Sequence, residues 1–353
     1  MGYRYIGSKV KILDKVLGKI SEISPVNGYI ADLMCGTASV SAELRKSNYR
    51  VIANDLMTYS YHHAVVNLKF SEEPSFVLAV DYIKRISDFN KLKSNYENVI
   101  DYLNSSEPVE GYFWREFSSD GTPKLSDKPR NYYSVDNAKK IDGIREKILF
   151  LKPLISDFEY SLLVHDLIMA TNDIANIAGT YGHYMANLVG RAKTPLQIRP
   201  SILLLKDDVS NHTVMLGYAE DNAKKIKCDV CYIDPPYMKR QYAANYHILE
   251  TIARGDEPDA IGVSGLRPWR DQHSNFCTKT KIRESFLKIF RDMDCNNFLI
   301  SYSEDGLLRI DDFIELLSPL GDVYIDEFNH KRFKSNNSVL NNNLTEYLIH
   351  LVR

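Results

Sequence analysis

The run Val230-Cys231-Tyr232-Ile233, followed at once by Asp234-Pro235-Pro236-Tyr237, constrains this chain more than any other stretch. Apolar, β-branched and aromatic residues read as a buried strand, and two consecutive prolines end it abruptly. The tetrapeptide therefore stands at the carboxyl end of a strand, the edge at which open α/β sheets bind ligands. Asp234 can accept a hydrogen bond from an exocyclic amine. Pro235 donates nothing, and the stiff proline pair leaves its carbonyl as a second acceptor. Tyr237 offers a ring on which a flat base can stack. Asp-Pro-Pro is also an ordinary turn sequence, so the rest of the chain decides between a turn and a site for an amine-bearing base.

Taken in order, Tyr5-Ile6-Gly7-Ser8-Lys9 precedes apolar residues at Leu13, Val16, Leu17, Ile20 and Ile23, the spacing of an amphipathic helix. A small-residue turn and a lysine opening a helix offer backbone donors and a positive charge to a carboxylate; a surface lysine after a turn glycine is the plainer alternative. Tyr29 to Met34 then reads as a strand, broken by Cys35-Gly36-Thr37-Ala38-Ser39, after which a helix resumes. Some ~20 residues past the turn, Val51-Ile52-Ala53-Asn54-Asp55 forms a second strand ending in an acid, where nucleoside-binding α/β folds hold ribose hydroxyls. Asp55 is the ribose candidate. The single Gly36 is a weak signal, and the order strand, turn, helix, strand-acid is a stronger one.

From about Ser71 to Leu205 this βα rhythm disappears, and the stretch reads as an inserted, mainly helical domain with a long loop near Gly111 to Asn131. Ile141, Ile144, Ile148 and Leu151 mark one helix face, and Leu162, Leu163, Ile168 and Met169 another. Tyr181, His183, Tyr184, Arg191, Lys193 and Arg199 interleave aromatics with bases, which suits either a phosphate-bearing polymer or a solvated helix face. The α/β rhythm returns near Val214. Glu220 and Asp221 fall before the Asp234 strand, placed to touch a nucleoside's adenine. Beyond Tyr237, Arg240, Tyr242, Asn245 and Tyr246 form a polar, aromatic loop that could close over a base, and His247, next to apolar residues, reads as structural rather than as a general base. A second long loop is expected from Arg254 to Arg283. A strand over Phe298 to Tyr302, a helix over Leu307 to Leu317 and a terminal hairpin with the basic tip Lys331-Arg332-Phe333-Lys334 complete the chain.

Composition excludes some classes and leaves others open. The 353 residues are 44% hydrophobic and 25% charged with a formal net charge of -2, so any contact with DNA must come from local basic patches. The five cysteines are scattered without a disulfide pattern, and Cys228-x-x-Cys231 lacks the second pair that a zinc site requires, so no metal is expected. No run approaches the ~20 apolar residues of a membrane span, and a reducing cytoplasm is the simplest setting.

Together these segments resemble the Dam-like adenine-N6 DNA methyltransferases, nearest to the FokI-type modification enzymes, over most of the chain. The likeness rests on Tyr5-Ile6-Gly7-Ser8-Lys9, on Asp32-Leu33-Met34-Cys35-Gly36-Thr37-Ala38-Ser39, on Asn54-Asp55, on Asp234-Pro235-Pro236-Tyr237, and on the later Arg240-Gln241-Tyr242, Asn245-Tyr246-His247 and Lys331-Arg332-Phe333-Lys334-Ser335. In the insert it adds Asn172-Asp173-Ile174-Ala175-Asn176 and Lys140-Ile141-Asp142. Met34-Cys35 and Ala38 depart from the usual pattern. The resemblance implies an α/β fold with a Rossmann-like, seven-stranded methyltransferase sheet, a catalytic domain over 1–70 and 206–353, and a helical target-recognition insert over 71–205. It implies S-adenosylmethionine as methyl donor, with Tyr5 to Lys9, Asp32, Cys35, Gly36, Thr37, Ser39, Asp55, Leu56, Glu220, Asp221 and Asp234 around it. Lys9 would meet its carboxylate, Asp55 its ribose and Glu220 or Asp221 its adenine. Double-stranded DNA is the implied partner, touched by Arg240, Tyr242, Asn245, Tyr246, Lys331, Arg332 and Lys334. The implied reaction is methylation of a flipped-out adenine's N6, for restriction-modification or as an orphan methylase. Pro-Cys, which a cytosine-C5 enzyme needs, does not occur. A cytosine-N4 or RNA methyltransferase, or a DNA-binding protein that keeps the fold without turnover, stays open, as do the recognition site, a companion restriction enzyme and the oligomeric state.

Overall fold

In the chain's computed structural model, which describes residues 12–205, 208–331 and 343–353, short apolar runs bounded by turn residues pair into one seven-stranded sheet. The strands are β1 (Tyr29–Asp32), β2 (Arg50–Asp55), β3 (Thr213–Leu216), β4 (Val230–Ile233), β5 (Asn297–Ser303), β6 (Asp322–Lys331) and β7 (Asn343–Val352), in the order β3-β2-β1-β4-β5-β7-β6. β1 to β5 pair in parallel, with Asp32 opposite Ala53 and Tyr232, while β7 runs antiparallel between β5 and β6. All four residues of β4 are buried, as a parallel strand covered on both faces requires. The chain builds outward from β1 to β3, then returns to lay β4 on the other side of β1. The carboxyl ends of β1 and β4 thus flank the topological switch point, where such sheets bind ligands. The expected α/β sheet and the terminal β6–β7 hairpin are both present; the hairpin's tip lies outside the described residues.

The sheet belongs to a compact unit made of the described residues up to Ala64 with Ser210–Tyr242 and Gln272–Arg353. The helix Ile282–Asp292 buries Ile282, Phe286, Ile289 and Phe290 at three- and four-residue spacing. Phe286 meets Phe276 edge-on at 5.0 Å and Phe313 at 5.3 Å, and each such buried ring contributes about 1.5–3 kcal/mol of transfer free energy.

The second unit joins Val65–Val209 to Ala243–Asp271. Its helices Asn95–Asn104 and Asp157–Asp173 open with capping boxes, Ser94 with Glu97 and Ser156 with Glu159, each satisfying amides that a helix start leaves unpaired. Ile141, Ile144, Ile148 and Leu151 are all buried on the helix Val135–Leu151. Two expectations change. The stretch 111–131 contains a helix, Tyr112–Phe117, because the Asp142 carboxylate accepts from the Phe113 and Trp114 amides at 2.9 and 2.8 Å and so caps it from a distant position. Residues 243–271, assigned to the catalytic part by sequence, group with the helical one. Arg130 donates to the Ala260 and Gly262 carbonyls, Tyr112 to Pro258 and Arg145 to Asp256, so polar ties at long sequence separation decide where this segment folds.

Candidate active site

The site is assembled where β1, β2, β3 and β4 stop. Cys35 N–H donates to the Asn54 carbonyl at 3.0 Å and the chain turns through Gly36, with φ 52°, and Ala38, with φ 58°, into the helix Ser39–Lys46. Gly36 takes the left-handed region at no steric cost, and Ala38 holds it as a non-glycine residue under mild strain; this is the position where the resembled pattern has glycine. Thr37 and Ser39 join hydroxyl to hydroxyl at 2.8 Å. Asp55, buried at the end of β2, accepts from Gly36 N–H on one carboxylate oxygen and from Met57 N–H on the other, both at 2.8 Å.

Asn54, which the sequence offered only as the neighbour of Asp55, ties three strand ends together. Its amide donates to the Leu33 carbonyl at 3.0 Å and to Gly217 at 3.3 Å, and its oxygen accepts from Asn222 Nδ2 at 2.7 Å. Ser41 is a second residue missed by sequence reasoning: its hydroxyl donates to Asp32 at 2.6 Å from a fully buried position. No short motif announces either contact.

Asp32 is itself buried, and burial pushes its carboxyl up to about 7; the hydrogen bond from Ser41 opposes the rise, and the neighbouring Asp234 and Asp55 reinforce it. The folded value lies above the unfolded one, so this group's contribution to stability is full below the ordinary carboxyl range and is lost as pH rises through about 7. Between pH 6 and 8 the loss should be on the order of 1 kcal/mol. Denaturant unfolding of Asp32→Asn beside the wild type at both pH values is expected to show that increment removed; parallel pH dependence in the two proteins would refute the placement of Asp32.

On the far side, Asp234 and Pro235 follow β4, Asp234 half-buried and Pro235 buried. Tyr237 is half-buried with its ring edge-on to Tyr302 of β5 at 5.9 Å, and its carbonyl accepts from Leu307 N–H at 3.0 Å. Tyr302 is fixed in turn by the Leu308 amide, which donates to its hydroxyl at 3.2 Å, and Gly306 gives it room, since a Cβ there would lie 2.1 Å from the ring. The aromatic surface beside Asp234 is therefore held in place from β5.

The remaining expected residues fall in distinct places. Glu220 is buried and accepts from Ser285 Oγ at 2.7 Å, whereas Asp221 is exposed and paired with Lys288 at 2.5 Å. Leu56 is half-buried and its carbonyl accepts from Gln272. Arg240 is exposed and Tyr242 half-buried in the sheet unit. Asn245 and Tyr246 lie in the helical unit. Tyr246 is fully buried there against Tyr181, a core position that gives its ring no open face for a base. His247 is buried too, with Nε2 3.1 Å from the Tyr181 carbonyl, and burial pushes it down to about 3, as a structural histidine requires. Tyr5, Ile6, Gly7, Ser8, Lys9, Arg332, Lys334 and the side chain of Lys331 lie outside the described residues.

Residues 5–316 match the family described as D12 class N6 adenine-specific DNA methyltransferase. The chain is 32% identical to the type II methyltransferase M.CviAII of Paramecium bursaria Chlorella virus 1, over 98% of this chain and 96% of that protein. It is 30% identical to M.NlaIII of Neisseria lactamica over 94% of this chain and 92% of that protein, and 31% identical to M.FokI of Planomicrobium okeanokoites over 99% of this chain. It spans 52% of the length of M.FokI, about half.

Proposed function

The chain belongs to the D12 class of N6 adenine-specific DNA methyltransferases, and on that footing we propose that it transfers a methyl group from S-adenosylmethionine to the N6 amine of a flipped-out adenine in duplex DNA, as the modification enzyme of a restriction-modification system. The observation that carries this reading is the placement of Asp234-Pro235-Pro236-Tyr237 at the end of β4, beside the Asp32, Gly36 and Asp55 cradle at the ends of β1 and β2.

The cradle suits the donor. Asp32, Asp55 and Asp234 gather acidic groups close enough for the other two to raise the Asp32 carboxyl, and a nucleoside bearing a sulfonium and an ammonium is cationic. When bound, that donor supplies an electrophilic methyl group. Asp55 accepts hydrogen bonds from the ribose hydroxyls, Glu220 or Asp221 takes the adenine side, and Lys9 is assigned to the carboxylate from the sequence motif.

The target amine is a poor nucleophile because its lone pair is delocalised into the ring. Asp234 and the Pro235 carbonyl accept its two hydrogens and favour a pyramidal nitrogen whose lone pair is free to attack. This is positioning and preorganised electrostatics rather than prior deprotonation. After transfer the nitrogen sheds a proton, with Asp234 as the acceptor at hand. Extracting the adenine from the stack costs a few kcal/mol, which stacking on Tyr237 offsets.

Donor affinity tests this assignment. Asp55→Ala is expected to weaken S-adenosylmethionine binding roughly ten- to a hundredfold, the worth of a charge-assisted hydrogen bond, while duplex affinity stays within a factor of about two by the same arithmetic. Equal loss of both, read by titration calorimetry and anisotropy on folded protein, would count against the cradle.

A further inference from the structure

The motif Asn172-Asp173-Ile174-Ala175-Asn176 and the aromatic stretch after it have no part in the site above, and the helical unit shows what they build. Residues 177–190 form an irregular excursion closed by a bridge between Ile177 and Tyr184. Its backbone is pinned by side chains from several directions. Asn176, fully buried, donates to the Met185 carbonyl at 2.9 Å and accepts from Val189 N–H at 3.0 Å. Asn131 donates to the Met185 and Ala186 carbonyls at 3.2 and 2.9 Å. Tyr132 donates to the Tyr181 carbonyl at 2.6 Å, Ser264 to Gly182 at 2.6 Å, and the Arg191 guanidinium to Ala175 and Ile177. Asn172 accepts from the Tyr181 hydroxyl at 3.1 Å.

Side chains from several directions thus hold a loop shape that no ladder enforces, and a hydrogen-bonded network of this kind rigidifies what it binds. The tip so held exposes His183, Met185, Ala186 and Asn187. Between Ala178 and Gly190 there is no Asp, Glu, Lys or Arg, so the tip brings no fixed charge for phosphates. It brings instead an amide that can pair bidentately with adenine, an imidazole, and an apolar wedge, the side chains that read base edges and steps. Exposed Lys193 and Arg199 follow on the same segment as cations for the backbone.

We infer that the braced loop 182–187 is a DNA-reading element in which His183, Met185 and Asn187 contact base edges and so set the recognition sequence. This rests on DNA being the substrate, as proposed above. It reassigns the basic-aromatic stretch: Tyr181 and Arg191 are braces, not contacts.

The test uses the full chain and a pool of randomised duplexes, with the bound fraction sequenced. A His183→Ala/Met185→Ala/Asn187→Ala variant is expected to keep its melting temperature and its affinity for S-adenosylmethionine, and to lose at least about tenfold discrimination at one or more positions of the enriched sequence. Leu92→Ala, elsewhere on the surface of this unit, is the control and should change nothing. Asn176→Ala, checked by melting, should blur the same positions by loosening the loop. An unchanged enriched sequence in the folded triple variant, or a uniform loss of affinity with the sequence kept, would overturn the inference, as would a wild type that enriches no sequence. Sequence enrichment without methyl transfer would instead indict the catalytic proposal and leave the loop's role standing.

Discussion

Asp234→Ala is expected to lower the rate of methyl transfer roughly a hundred- to a thousandfold, the usual worth of one preorganised hydrogen-bonding group at a reacting centre, with little change in melting temperature. The half-buried Asp234 follows β4 rather than sitting within it, so the strand's pairing with β1 and β5 survives the change. The effect should fall more on kcat than on donor affinity, which loses one acid of the cradle, because the carboxylate acts on the amine as its nitrogen becomes pyramidal, and an interaction made mainly in the transition state shows itself in this way. Asp234→Asn separates shape from charge: it keeps an acceptor of the same size and should retain more activity than alanine. Single-turnover rates at saturating donor would measure both. Activity within a few-fold of wild type in Asp234→Ala would remove Asp234 from the reaction.

Arg130→Met should cost the helical unit about 3–5 kcal/mol, the range for breaking a buried ion pair from one side. Arg130 is fully buried and donates to the buried Glu116 carboxylate at 2.7 Å, while its other nitrogen holds the Ala260 and Gly262 carbonyls at 2.9 and 3.1 Å. Removing the guanidinium leaves one Glu116 oxygen and those carbonyls without their partner. Glu116→Gln in the same chain should recover part of the loss by removing a buried charge left to pair with the partly exposed Arg115, a coupling that only the double variant reveals. Denaturant titration followed by helical circular dichroism measures both; a loss under about 1 kcal/mol for the single variant would mean that solvent reaches the pair.

Legibility followed sequence separation. The ends of β2 and β4 announced themselves because a strand, its terminating residues and its acid are contiguous, so Asp55 and Asp234 could be read as strand-end acids from local pattern alone, whereas Asp32 was singled out only through the resembled motif. The helical unit's faces at Ile141 to Leu151 were legible for the same reason. The Asn54–Asn222 contact spans 168 residues, and no local period carries such a pairing. The capture of 243–271 by the helical unit rests on contacts such as Arg130 to Ala260, 130 residues apart, whereas apolar spacing over Ile248, Leu249 and Ile252 tells only that a helix is amphipathic and not which core it joins. Tyr246 misled for a related reason: a tyrosine in a polar loop looks like a stacking ring, and only burial shows that its face is already occupied. Asp142 shows how a motif recognised in sequence can be structural, since its carboxylate caps a short helix that no capping residue nearby foretold.

The central claim is most directly tested by the product. Duplex DNA of random sequence, incubated with the full chain and S-adenosylmethionine labelled in its methyl group, would be digested to nucleosides and separated. Label in N6-methyladenine, lost with Asp234→Ala, is the expected result. Label in N4-methylcytosine, or none in DNA from a protein that binds the donor, would contradict it.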